Sequence, residues 1–197
     1  AADRLAPFIA AGFYYKTFMW PRRLWPLYER IIRHAGGLGY APLGPDPDAY
    51  EHVNAHCDVL VAGGGPAGLA AARAAARAGA RVILAEQGPD FGGALLNETE
   101  ETNIAGAPPM DWVEGTTKEL TAADEVRLLL RTTAFAYYDH NYLGLLERCT
   151  DHLAPGEAAG RVRQRLWKVR AKQVVLATGA IERPLVFADN DRPGIML

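Results

Sequence analysis

The hydrophobic pattern of residues 58–86 predicts a strand, a helix and a second strand in succession. An apolar, β-branched run suits a parallel strand over 58–63 that is buried on both faces. The alanine-rich segment 69–78 then predicts a helix, which Gly79 ends. Apolar residues over 81–86 predict the second strand. This order is typical of a βαβ unit in a parallel sheet.

Further along the chain, the pattern predicts more elements of an α/β fold. An acidic start predicts a helix over 111–120, and apolar runs predict strands over 125–130 and 173–178. Alternating or aromatic patterns over 135–142 and 161–170 are more typical of an antiparallel meander than of a helical crossover. The fold class is therefore α/β, a parallel sheet with an antiparallel β-meander inserted before its last strand.

The first 48 residues have a different composition, and we predict domains at 1–48 and 49–197. Segment 1–35 is rich in aromatic residues and includes a pattern for a short amphipathic helix, formed by Leu24, Leu27, Tyr28, Ile31 and Ile32. Segment 36–48 has the glycine and proline content of a linker. Two interpretations of the aromatic rings stay open: they fill grooves on the larger body, or they contact a partner subunit.

Three glycines after the first strand have the G-x-G-x-x-G spacing of a dinucleotide-binding turn. Gly63 permits a tight turn, Gly65 leaves room for a pyrophosphate, and Gly68 lets the helix pack closely on the strand. Pro66 and Ala67 fall in the first helical turn, where the diphosphate meets the positive end of the helix dipole. The motif predicts a Rossmann-like FAD/NAD(P)-binding fold; the alternative is a glycine-rich turn without a ligand.

An acid at the end of the second strand adds to this prediction. Glu86 lies 18 residues beyond Gly68, where a carboxylate can accept hydrogen bonds from ribose hydroxyls and would repel a 2′-phosphate. No Lys or Arg lies between Glu86 and Gly93. NAD or FAD therefore fits better than NADP.

The remaining cofactor-binding candidates lie in loops after strands. Gln87 adjoins the acid, and Gly93 ends a Phe-Gly-Gly sequence that is either another close-approach loop or a simple turn. Thr178 and Gly179 follow the last strand at the carboxyl edge of the sheet, beside the expected cofactor crevice.

Composition limits the other functions. A net charge of −2 provides no basic field for nucleic acid and no polybasic patch for a membrane surface. The longest uncharged run is too short to span a bilayer, and no charged-then-apolar leader is visible. Two cysteines form no disulfide framework, so we expect a reducing, cytoplasmic location.

Metal binding is not predicted. His52, His56 and Cys57 could serve as ligands, but no second pair with ligand spacing lies nearby. We interpret this segment as a solvated approach to the first strand.

Four segments resemble a known enzyme family: 13–21, 58–72, 136–148 and 174–197. The glycine motif and the final Thr-Gly are similar to those of the two-dinucleotide-domain flavoproteins. All four segments together resemble the α subunits of heterotetrameric sarcosine oxidase. Because those subunits are several times longer, the dinucleotide-binding domain over 49–197 is expected to be incomplete at its C-terminus.

The resemblance implies that NAD binds here, at the place where relatives bind FAD, so FAD is the alternative. It implies a partner β subunit that carries the substrate-oxidising flavin, small accessory subunits, and oxidative demethylation of sarcosine to glycine. The positions that match the family's nucleotide contacts are Gly63, Gly65, Gly68, Glu86 and Gly179. The resemblance carries over no catalytic residue, so the isolated chain is expected to be inactive.

The sequence leaves two alternative functions open and disfavours a third. The chain could be the FAD-binding subunit of a related opine, proline or amine dehydrogenase complex, or a module whose nucleotide is a structural brace. A reductase of the disulfide class is disfavoured because it needs a C-x-x-x-x-C pair after the second strand, and 91–146 contains no cysteine.

Overall fold

The computed structural model describes residues 20–39, 43–97, 103–180, 183, 185–188 and 190. The chain divides into two units, Ala1–Pro47 and Asp48–Leu197. In the first unit, a 3-10 turn leads into α1, Trp25–Ala35, which confirms the predicted amphipathic helix. None of its side chains is buried. The two interpretations of the aromatic residues before Trp20 concern positions outside the described residues.

The second unit contains one mixed sheet. Its strands are β1 (Ala49–Ala62), β2 (Val82–Ala85), β3 (Val126–Leu129), β4 (Thr132–Tyr138), β5 (Tyr142–Arg148) and β6 (Val162–Leu176). Their order is β3-β2-β1-β6-β5-β4. The pairs β1–β2, β2–β3 and β1–β6 are parallel, whereas β4–β5 and β5–β6 are antiparallel. The predicted α/β class, with a parallel sheet and an antiparallel meander, is confirmed.

Two helices pack on one part of this sheet. They are α2 (Pro66–Arg77) and α3 (Pro109–Thr121); a short α4 (Pro155–Ala158) lies before β6. α2 begins at Pro66, within the predicted first turn, whereas α3 begins at Pro109, two residues before its predicted start at 111. In both helices proline's fixed φ suits the first helical position. The buried residues beneath them are Val61, Leu69, Ala72, Val82, Leu84, Phe91, Leu95, Val113 and Leu120.

The structure corrects the boundaries of the two longest strands. β1 begins at Ala49 rather than at 58, and β6 runs without a break through the predicted division between 161–170 and 173–178. The two strands pair in parallel along almost their whole lengths, from Ala49 opposite Val162 to Ala62 opposite Leu176. The residues before 58 therefore find backbone partners that local sequence did not reveal.

Residues 52–57 belong to β1 itself and do not form an approach to it, although His52 and His56 are exposed as predicted. His52 and His56 lie within β1, opposite Leu166 and Arg170 of β6. Cys57 is buried, and burial raises the pKa of its thiol to about 11, so it remains a neutral thiol at physiological pH. Across the part of the chain that the structure describes, no group of three or more His, Cys, Asp or Glu residues could hold a metal ion.

The sheet curls so that the meander meets the end of β2. The Thr132 amide donates to the Glu86 carbonyl at 2.7 Å, and the Arg131 amide donates to the Gly88 carbonyl at 2.9 Å. The curled strands bury a second core, formed by Cys57, Leu60, Ala62, Ile83, Ala85, Leu129, Leu143, Leu145, Trp167, Val169 and Ala171. No helix among the described residues is long and apolar enough to cross a bilayer.

Candidate functional site

The candidate site lies where the carboxyl ends of three parallel strands meet the start of α2. The Gly63 amide donates to the Ala85 carbonyl at 2.8 Å, and the Ala177 amide donates to the Ala62 carbonyl at 2.8 Å. These bonds hold the residues after β1, β2 and β6 at one edge of the sheet. Ligands of open α/β sheets bind at such an edge.

Two glycines of the motif are needed for packing. Gly63 has φ of +105°, and a Cβ there would lie 2.2 Å from the Ala177 carbonyl oxygen. A Cβ at Gly68 would lie 1.8 Å from the Gly63 carbonyl oxygen. Because neither glycine has a side chain, α2, β1 and the residues after β6 lie closer together than any side chain would permit.

Gly65, in contrast, is not required by the fold. Its φ of −73° is accessible to any residue. The one heavy atom within 4 Å of a Cβ at this position is Gly93 Cα, at 3.8 Å, an ordinary van der Waals contact. Gly65 immediately precedes α2, no side chain caps that helix, and the first-turn amides of a helix have no intrahelical partner. The space beside Gly65 is therefore an open cradle for an anion.

Gly93 forms the other wall of this cradle. It has φ of +55°, and a Cβ there would lie 2.8 Å from Gly65 Cα. The Phe91–Gly93 loop thus approaches the glycine turn backbone to backbone, which favours the close-approach alternative over a simple turn. The side chain of Phe91 is buried, so the loop is anchored in the core beneath α2.

The Glu86 carboxylate is held by two backbone amides. Oε2 accepts a hydrogen bond from Gly64 N at 2.6 Å, and Oε1 accepts one from Gly88 N at 2.7 Å. The side chain is half-buried. A carboxylate offers about four acceptor positions, so each oxygen can also accept a hydrogen bond from a ligand hydroxyl.

The other predicted site residues lie around this centre. Pro66 and Ala67 form the first turn of α2. The Thr178 amide nitrogen would lie 3.2 Å from a Cβ at Gly63, so its backbone borders the turn, whereas Gly179, with φ of +70°, has open space around it. Gln87 is exposed, and its carbonyl oxygen accepts a hydrogen bond from Arg148 Nη2.

The sequence analysis missed three residues of the candidate site: Gly64, Gly88 and Arg148. A Cβ at Gly64 would lie 2.4 Å from Phe91 Cδ1, so this glycine is also required. Gly88 and Arg148 hold the turn around Glu86. Gly64 could have been suspected from the run of three glycines, but Arg148 comes from a distant strand and carries no local signal.

We expect Glu86→Gln to raise the Kd for nucleotide by about ten- to a hundredfold, as loss of hydrogen bonds to a charged group predicts. The glutamine side chain keeps one acceptor oxygen. Its NH₂ group, however, would face the backbone N–H of Gly64 or Gly88, so two hydrogen-bond donors would oppose each other. Calorimetric titration of parent and variant measures the change.

Glu119→Gln is the matched control for this variant. Glu119 also accepts several hydrogen bonds, from Arg73 and Arg77, but it lies on α3. The Kd of the Glu119→Gln variant for nucleotide should equal that of the parent. If the Glu86 variant also bound like the parent, Glu86 would not belong to the site.

The geometry fits the ADP half of a dinucleotide. Its diphosphate would occupy the cradle beside Gly65 and Gly93, at the start of α2, and Glu86 would accept the ribose hydroxyls. Nothing in these contacts selects the second half of the dinucleotide, because NAD and FAD share the ADP half.

Comparison with known proteins agrees with this geometry. The chain is 53% identical over 194 residues to sarcosine oxidase subunit alpha of Rhizobium meliloti (strain 1021), covering 98% of this chain and 19% of that protein. It is 52% identical over 161 residues to sarcosine oxidase subunit alpha of Corynebacterium sp. (strain U-96), covering 82% and 17%. The chain thus spans less than a fifth of these relatives, and its resemblance to sarcosine oxidase α subunits is confirmed.

A solved structure and a family model complete the comparison. The crystal structure of L-proline dehydrogenase from P. horikoshii superposes with a TM-score of 0.55 at 27% identity, covering 79% of this chain and 28% of that one. The model of FAD dependent oxidoreductases matches residues 58–161, which include β1 from Asp58 onward, the glycine turn, α2 and Glu86. The chain belongs to the FAD-dependent oxidoreductase family.

Proposed function

We propose that this chain is the NAD-binding portion of the α subunit of a sarcosine oxidase-type complex. The identity of over 50% to two sarcosine oxidase α subunits supports the complex. The observation that carries nucleotide binding is the open cradle at Gly65, a glycine that the fold itself does not require.

In this function the chain binds and orients the nucleotide. The start of α2 meets the diphosphate, the loop at Gly93 closes the cradle, and Glu86 accepts the ribose hydroxyls. A nicotinamide or flavin ring supplies hydride-transfer chemistry when bound. We assign the oxidation of sarcosine to a flavin on a partner β subunit. We assign no catalytic residue to this chain.

FAD is the second candidate for the site. The match to the FAD dependent oxidoreductase model favours it, whereas the resemblance to sarcosine oxidase α subunits favours NAD. A related opine, proline or amine dehydrogenase subunit is the corresponding alternative for the complex, and the likeness to L-proline dehydrogenase favours it. We place the complex, with its small accessory subunits, in the cytoplasm, a reducing location that the two free cysteines fit.

Nucleotide identity tests this proposal directly. The full-length protein that contains this chain is purified free of its partners and denatured, and the released nucleotide is identified by mass and absorbance. One equivalent of NAD supports the proposal, whereas one equivalent of FAD replaces NAD by the second candidate. Release of no nucleotide, together with no binding of added NAD or FAD, would refute both. A nucleotide that keeps its redox state throughout turnover would indicate a structural brace.

The 197-residue chain alone is expected to show no sarcosine-dependent oxygen consumption, with or without added FAD. The reason is that the described site contains groups for binding a nucleotide, and we assign the amine-oxidising flavin to the partner. An oxygen electrode measures this, with the intact complex as the positive control. Turnover by the isolated chain would contradict the assignment of sarcosine oxidation to the partner β subunit.

A further inference from the structure

Residues in and next to the meander donate hydrogen bonds to three successive carbonyls of the turn that carries Glu86. The carbonyls of Glu86 and Gly88 accept hydrogen bonds from the backbone amides of Thr132 (2.7 Å) and Arg131 (2.9 Å). The carbonyl between them, that of Gln87, accepts its hydrogen bond from a side chain, Nη2 of Arg148, at 2.8 Å. The strands of the meander therefore determine the path of the turn.

That path determines where the Glu86 carboxylate points. One of its oxygens accepts a hydrogen bond from Gly88 N, within the turn, and the other accepts one from Gly64 N, in the glycine turn. If the turn moved, the amide of Gly88 would move with it. The carboxylate would then lose one of the two bonds that orient it towards the cradle.

Arg148 reaches this turn at a cost to its own hydrogen bonding. It is the last residue of β5, and its backbone amide donates to the Arg131 carbonyl at 3.0 Å. Its Nε is buried and has no hydrogen-bond partner among the described residues. A buried donor without a partner is unfavourable, and such departures from full pairing are expected where a residue serves a functional site.

We propose that Arg148 is a positioning residue for the nucleotide site, which acts on the ribose through Gln87, Gly88 and Glu86. The inference rests on the proposed dinucleotide site and deepens it. Arg148 holds the Gln87 carbonyl, the turn presents Gly88 N to the carboxylate, and the carboxylate is thereby aimed at the ribose hydroxyls. The antiparallel meander thus contributes to ligand recognition at the edge of the parallel sheet.

The test compares ADP with 2′,3′-dideoxy-ADP, which lacks both ribose hydroxyls. Full-length protein is freed of bound nucleotide by dialysis and titrated with each probe in a calorimeter. The parent should bind ADP at least about tenfold more tightly than the dideoxy probe, as hydrogen bonds to a carboxylate predict. In Arg148→Met, the Kd for ADP should rise until ADP binds only about twofold more tightly than the dideoxy probe. The Kd for the dideoxy probe should stay unchanged.

Two further variants separate positioning from folding. Arg148→Lys keeps one charged donor and should restore part of the ratio. Arg170→Met is the matched control, because Arg170 Nη1 also donates to a backbone carbonyl, that of His140, but Arg170 pairs with Tyr142 at the other end of β5. It should keep the parental ratio.

Each outcome decides a different point. If Arg148→Met weakened both probes equally, or left both unchanged, Arg148 would not act through the ribose and the inference would be overturned. If the parent bound neither probe, the proposed nucleotide site itself would fail. In the double variant Arg148→Met with Glu86→Gln, ADP should bind about as weakly as in Glu86→Gln alone; additive losses would also overturn the inference.

Discussion

Gly65→Val is expected to abolish nucleotide binding while the protein stays folded. The parent residue has an ordinary φ of −73°, and a Cβ there would be 3.8 Å from Gly93 Cα, its one close neighbour. The added methyl groups would instead fill the cradle at the start of α2, where the diphosphate is placed. We expect the Kd to rise by more than about a thousandfold, over ~4 kcal/mol of binding free energy.

Two other variants make this result interpretable. Gly65→Ala adds a single carbon and should weaken binding to an intermediate degree with an unchanged thermal unfolding midpoint. Gly115→Val places the same side chain on α3, at an exposed glycine with nothing within 4 Å of its Cβ position, and should keep the parental Kd. A folded Gly65→Val protein that binds as tightly as the parent would show that the cradle is not the nucleotide site.

Gly68→Ala is expected to lower the free energy of unfolding by about 3 kcal/mol or more, at the upper end of the range for overpacking. Its Cβ would lie 1.8 Å from the Gly63 carbonyl oxygen and 3.4 Å from Ala177 Cβ. The closest of these is a backbone atom, so relief requires α2 to move away from β1. Denaturation of the 197-residue chain in urea measures the loss.

Gly115→Ala makes the identical chemical change within another helix and should have the opposite effect. With no neighbour in reach, the alanine restricts the unfolded chain and should raise the free energy of unfolding by about 0.5–1 kcal/mol. If Gly68→Ala were as stable as the parent, the close approach of α2 to β1 would be wrong. Within one motif, substitution of Gly65 is therefore expected to affect nucleotide binding, whereas substitution of Gly68 is expected to affect stability.

The sequence by itself determined the βαβ unit and predicted the candidate site residues within it. The glycine spacing, the alanine helix and the apolar strands are local signals, because each depends on neighbours within one turn or one strand. The strands over 81–86 and 125–130 were correct to within one residue at each end. Glu86 was placed correctly at the end of β2 for the same reason.

Only the tertiary structure decided how long β1 and β6 are. Residues 49–57 lack a continuous apolar pattern, yet they form a strand because β6 supplies hydrogen-bond partners from more than a hundred residues away. Likewise, segment 135–142 contains the end of β4, a turn and the start of β5. Strand pairing is non-local, so a window of neighbouring residues cannot reveal it.

The tertiary structure also decided what each site residue does. The four glycines 63, 64, 65 and 68 lie in one short segment, but contacts with Ala177, Phe91 and Gly93 show which are needed for packing and which leaves space for a ligand. Arg148 reaches Gln87 across 61 residues because the sheet curls back on itself. Spacing in the sequence therefore predicted the candidate site, whereas the contacts that orient its carboxylate and distinguish its glycines exist only once the distant strands have paired.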